Sequence, residues 1–80
     1  MKYLLLTTTR CPKCPEVKAW VSENISFPGE ILDETHENFL SQVQALSIAA
    51  APAFILFNDQ EEELFRGSEI SEIQDFLASQ

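Results

Sequence analysis

The chain has 80 residues, 45% of them hydrophobic, with two glycines, four prolines and two cysteines, and its thirteen acids outnumber five lysines and arginines for a net charge of −8. A chain of this size hides only about three-fifths of its unfolded surface, which leaves room for one domain with a small continuous core over residues 1–80 and excludes a second. The apolar content excludes disorder as the main reading, and the acidic balance without any cluster of cations argues against nucleic-acid binding.

The longest apolar run, Ala49 to Leu56, contains a proline and falls far short of the roughly 18 residues needed to cross a bilayer, so no membrane association is expected. At the amino end, Tyr3 to Leu6 behind a single lysine is too short for a secretory signal, and a cytoplasmic location is the expectation.

Lys2 to Thr8 opens with Tyr-Leu-Leu-Leu and then β-branched threonines, a run too apolar for a half-exposed strand, and it predicts a buried central one. Pro12 suits the first turn of a helix, where its missing N–H costs nothing, and Val17, Trp20, Val21 and Ile25 recur at helical spacing, which predicts a helix over residues 12–24. Phe27-Pro28-Gly29 then punctuates the chain before a short strand, Glu30 to Asp33. Phe39, Leu40, Val43 and Leu46 define a second amphipathic helix, with Thr35 as its candidate cap. Ala53 to Phe57 is a dense apolar strand, Asn58-Asp59-Gln60 a turn and Glu61 to Arg66 a strand, together a hairpin. Ser68 is placed to cap a last helix whose Ile70, Ile73, Phe76 and Leu77 face inward.

Between the first strand and the first helix lies Cys11-Pro12-Lys13-Cys14. In a reducing compartment two cysteines this close act as chemistry rather than as a staple, because the loop they close is too short to constrain much. The start of a helix presents unpaired N–H groups and a partial positive charge, which stabilise a thiolate. Cys11 at the cap, with its sulfur placed to accept the N–H groups of Lys13 and Cys14, is therefore expected to have a depressed pKa, and flanking Arg10 and Lys13 push the same way. Residues 1–20 hold Lys2, Arg10, Lys13 and Lys18 against Glu16, a balance of +3, whereas residues 21–80 hold Arg66 against twelve acids, a balance of −11, so the cysteines occupy the basic part of an acidic chain. Cys11 is read as the attacking thiol and Cys14, one turn deeper, as the resolving thiol of a redox-active disulfide. Pro15 removes another N–H and stiffens the turn.

The competing reading of the same pair is a metal carrier. Two thiolates supply half of a zinc set, and His36 stands alone twenty-two residues beyond Cys14, so no metal site is assigned. Copper(I) held by two sulfurs, or an iron–sulfur cluster bridged between two chains, is the alternative. Copper chaperones with a Cys-x-x-Cys in this place end in a strand, however, whereas this chain ends in a helix.

Strand, Cys-Pro-Lys-Cys, helix, then Ala51-Pro52 leading an apolar hairpin, resembles the thioredoxin superfamily, and specifically the glutaredoxins and the small redoxins that serve ribonucleotide reductase. The likeness spans nearly the whole chain. It implies a single βαβαββα domain, a four-stranded mixed sheet flanked by three helices, and a monomer. It also implies dithiol–disulfide oxidoreductase activity on a disulfide-containing protein, ribonucleotide reductase among the candidates. The resemblance further implies that no cofactor is bound and that electrons come from glutathione or from a thioredoxin reductase. Pro52 would be cis and face the cysteines, and the backbone of Ala51 would pair with an extended substrate peptide. Gly67, Ser68 and Glu69 take the place of the glutathione-binding turn.

The sequence departs from that pattern at four points. Arg10 stands where thioredoxins carry a tryptophan, Lys13 where glutaredoxins carry a tyrosine, Ala50 and Ala51 where they carry threonine and valine, and the turn has one glycine rather than two. Elsewhere, His36 and Lys18 read as solvated positions, Glu16 as exposed, Trp20 as core, and Glu61-Glu62-Glu63 as charges that guard an edge strand.

Overall fold

The computed structural model describes residues 1–49 and 51–79; Ala50 and Gln80 lie outside the described residues. The elements run β1 (Lys2–Thr7), α1 (Cys14–Asn24), β2 (Gly29–Asp33), α2 (Phe39–Leu46), β3 (Ala53–Phe57), β4 (Glu63–Gly67) and α3 (Ile70–Ala78). Among the described residues this is a mixed α/β arrangement of four strands and three helices in the order read from the sequence. No helix among the described residues is long and apolar enough to cross a membrane.

The sheet order is β2-β1-β3-β4. β1 runs parallel to β2 and antiparallel to β3, and β3 and β4 form the hairpin. The two strands richest in apolar residues are the two central ones, as burial on both faces requires. Leu5 on one face packs with Val17, Val21, Phe54, Leu56 and Ile73, so α1 and α3 share that side of the sheet. Leu4, Leu6, Leu32 and Ala53 on the other face receive Phe39, Val43 and Leu46 of α2. Gly29 pairs with Tyr3, and a Cβ at that glycine would run into the Tyr3 ring, which stacks on Phe54 with centroids 5.7 Å apart. The glycine thus lets an aromatic side chain close the bottom of the core.

Several boundaries differ from expectation. α1 begins at Cys14 rather than at residue 12, and Pro15, not Pro12, fills the early helical position where an N–H has no partner. The cap of α2 is Asn38, because Thr35 is held by Asp33, whose Oδ1 accepts both its N–H at 2.9 Å and its hydroxyl. Leu40 is 63% exposed: the eight-residue α2 turns it off the apolar stripe. The last helix is capped at Glu69 rather than Ser68, and the Glu72 carboxylate reaches back to accept the N–H groups of Ser68 at 3.2 Å and Glu69 at 3.0 Å. β4 starts at Glu63, since Glu61 has φ 64° in the turn and the N–H groups of Gln60 and Glu62 bond the Asn58 side chain.

Candidate active site

Strand direction decides which residues meet. β1 and β2 end on the same side of the sheet, and β3, antiparallel to β1, starts there. Leu6 is paired with Ala53, so Pro52 enters β3 beside the end of β1, from which the cysteine loop rises. Gly67 is paired with Phe54, which brings the β4–α3 turn to the same edge. Arg10, Cys11, Pro12, Lys13, Cys14, Ala51, Pro52, Gly67, Ser68 and Glu69 therefore share one end of the sheet.

Cys11 and Cys14 are joined as a disulfide, with Cα atoms 5.3 Å apart, inside the usual range for such a bridge. The Cys11 N–H donates to the Thr8 carbonyl and the Cys14 N–H to the Cys11 carbonyl, both at 3.4 Å, forming successive turns between β1 and α1. Cys11 thus precedes the helix instead of capping it, and the Cys14 N–H expected to reach its sulfur is engaged by its own carbonyl. The cap position belongs to Lys13. The two cysteines are unequal: Cys14 is 3% exposed, whereas Cys11 is only half-buried. The Ala51–Pro52 peptide is cis and Pro52 is buried.

One of the cations expected around the cysteines, Lys13, is paired with an acid in three dimensions. The Lys13 ammonium donates to Glu69 Oε1, and that hydrogen bond, reinforced by the charge of Glu69, raises the lysine pKa above its ordinary value. Glu34 Oε1 accepts the Thr9 N–H at 2.9 Å and the Thr9 hydroxyl; these bonds, with Arg10 as a further influence, hold its carboxyl below the usual range. Asp33 is lowered chiefly by Thr35, with Lys18 contributing. Of the cations near the motif, Lys13 is the one with an ion-pair partner among the described residues, and that partner comes from the start of α3. Ser68 and Glu69 offer less to an anion than expected, because Glu72 already occupies their N–H groups.

Thr8, Thr9, Glu34 and Glu72 were not singled out from sequence. Glu34 had a readable signal: parallel neighbours β1 and β2 end side by side, so acids directly after β2 must flank the loop after β1. Among the described residues no group of three or more histidine, cysteine, aspartate or glutamate side chains is placed to hold a metal ion. A cavity of about 470 Å³, lined by Lys2, Tyr3, Gly29, Leu46 and Phe57 among others, opens at the opposite end of the strands and is separate from this site.

The bonds from Thr9 to Glu34 give a pH test. A carboxyl whose folded pKa is depressed contributes stability that is fully present above its ordinary value, about 4.3, and is lost as pH falls through the folded value. Thr9→Val should lower the melting temperature at about pH 6, and the gap from wild type should narrow as the pH falls below the ordinary carboxyl range and Glu34 becomes protonated. A gap that stays constant across that range would show that Thr9 does not act through the ionised carboxylate. Comparison of the chain with protein-family models, with curated proteins and with solved structures gives no match in any of the three.

Proposed function

We propose that this chain is a thioredoxin-like dithiol–disulfide oxidoreductase of the small glutaredoxin or redoxin type. The observation that carries this reading is the Cys11–Cys14 pair at disulfide distance between a central strand and a helix, with one sulfur reachable and the other buried. In the reduced protein the Cys11 thiolate attacks one sulfur of a substrate disulfide. The substrate S–S bond breaks, a mixed disulfide forms on Cys11, and the first substrate thiolate leaves and takes a proton. Cys14 then loses its proton and attacks the Cys11 sulfur, which releases the second substrate thiolate and restores the Cys11–Cys14 disulfide. Two electrons pass from the chain to the substrate, and the dithiol must be regenerated by an external reductant.

The exposure difference supports this division of roles, since Cys11 is the more accessible cysteine and Cys14 is buried. Pro52 and Ala51, beside the end of β1, would form the wall along which an extended substrate segment lies. The buried proline offers no competing N–H there. The substrate is a disulfide-containing protein, with ribonucleotide reductase a candidate through the resemblance, and the reductant is glutathione or a thioredoxin reductase.

Cys14→Ser tests the division of labour. The variant should still attack but should stall as a mixed disulfide on Cys11, seen as a stable adduct by intact-mass measurement after mixing with oxidised insulin or hydroxyethyl disulfide. An unmodified chain after prolonged incubation would remove Cys11 from the role of nucleophile.

A further inference from the structure

We propose that Glu69 is a positioning residue for the redox pair: by holding the Lys13 ammonium it withholds that charge from Cys11 and moderates the sulfur's reactivity. This deepens the oxidoreductase reading above and rests on it. Lys13 lies inside the loop that the two cysteines close, two residues from Cys11, and is the N-cap residue of α1. Its ammonium donates to Oε1 of Glu69, which is the N-cap residue of α3. The Glu69 carboxylate also accepts the backbone N–H of Glu72 in the cap of its own helix. Since α1 and α3 pack on the same face of the sheet, one ion pair ties the interior of the cysteine motif to the start of the neighbouring helix.

A lone ammonium beside a thiol favours its ionisation, and so does the partial positive charge at a helix start. A carboxylate bound to that ammonium works against both. Seen from a third charge, an ammonium and its carboxylate nearly cancel, whereas a free ammonium does not. The Lys13 and Glu69 side chains are 57% and 46% exposed, so water screens the pair and its effect on Cys11 is a small factor rather than many decades. Other charged groups on the elements that meet near the motif are Arg10, Glu16, Lys18, Asp33, Glu34 and Glu72. These set the background against which the pair acts.

The test uses the full chain carrying Cys14→Ser, which leaves Cys11 as the one thiol, so that a pH profile reports a single group. Alkylation by iodoacetamide, a neutral reagent, is followed at low salt from about pH 5 to 10. Four chains are compared: this parent, Glu69→Gln, Lys13→Met and the two together, with all other charges the same. Glutamine keeps an oxygen for the Glu72 N–H and so removes the charge while sparing the cap. Glu69→Gln should move the midpoint of the profile to lower pH and raise the rate below it about twofold, because part of the gain in thiolate is lost to weaker nucleophilicity. Lys13→Met should move the midpoint to higher pH. With Lys13→Met already present, Glu69→Gln should shift the midpoint less than it does in the parent, since it then removes a charge but frees no ammonium. A midpoint unmoved by either single change would overturn the inference. Equal shifts with and without Lys13 would show that Glu69 acts directly and would overturn its action through the lysine. The oxidoreductase reading is judged separately, on the chain with both cysteines: reduction of hydroxyethyl disulfide keeps it whatever the profiles show, and failure to reduce it would overturn that reading and this inference with it.

Discussion

Cys11→Ser should abolish disulfide reduction, with a loss on the order of a thousandfold or more down to the uncatalysed background, because a serine hydroxyl is neither ionised near neutrality nor able to form a mixed disulfide. The remaining thiol, Cys14, cannot substitute, being 3% exposed and packed against the core. Comparison should be made with the reduced wild type, so that neither protein carries the Cys11–Cys14 bridge and the difference reports chemistry alone. Turnover of hydroxyethyl disulfide or insulin with dithiothreitol as electron source reads the effect. A variant that keeps a tenth or more of the activity would show that Cys14 is the reachable sulfur and that the roles are reversed.

The largest effect on stability is expected at Phe54. Its side chain is fully buried in a central strand, lies in the cluster of Leu5, Val17, Val21, Leu56 and Ile73, and stacks on Tyr3. Phe54→Ala removes a ring that both α1 and α3 pack against and leaves a cavity in a core too small to collapse around it. The expected loss is about 3–5 kcal/mol. An eighty-residue domain has roughly 4–12 kcal/mol in all, so this variant should lose a large part of its folded population at room temperature. Urea unfolding followed by circular dichroism measures the shift in midpoint. Leu40→Ala serves as the comparison: that leucine is 63% exposed, and its truncation should fall within about 0.5 kcal/mol of wild type. Equal losses in the two variants would mean that the core is not centred on β3.

Much of this arrangement was legible in the sequence because the strongest signals were also the local ones. The Tyr-Leu-Leu-Leu run announced a buried central strand and the stretch Ala53 to Phe57 a dense apolar one, and these two are the central pair. Helical spacing of Val17 and Val21 found the buried side of α1. Terminal details were harder, since several side chains compete for the same unpaired backbone groups. Thr35 fits a cap by residue type, but Asp33, two residues earlier, captures it in a tight side-chain turn. Ser68 fits as well, yet the Glu69 and Glu72 spacing closes a capping arrangement one residue later.

The electrostatics of the site were the least legible part. Along the chain Arg10, Lys13 and Lys18 form a basic island, and only the fold reveals that Glu69 returns to Lys13 and that Glu34 bonds Thr9 in the loop after β1. Charge near an active site is a property of the ends of neighbouring strands and is poorly described by a window of sequence. A formal balance of +3 over residues 1–20 thus coexists with a rim in which Lys13 is held by an acid 56 residues away.

The most direct test of the central claim is a single-turnover reaction of fully reduced protein with one equivalent of hydroxyethyl disulfide under anaerobic conditions, followed by thiol counting and intact-mass spectrometry. A working dithiol should release two small-molecule thiols per chain, and the protein should lose the mass of two hydrogen atoms as Cys11 and Cys14 close on each other. A chain that stays reduced, or that ends with separate adducts on the two cysteines and no closed bridge, would contradict it.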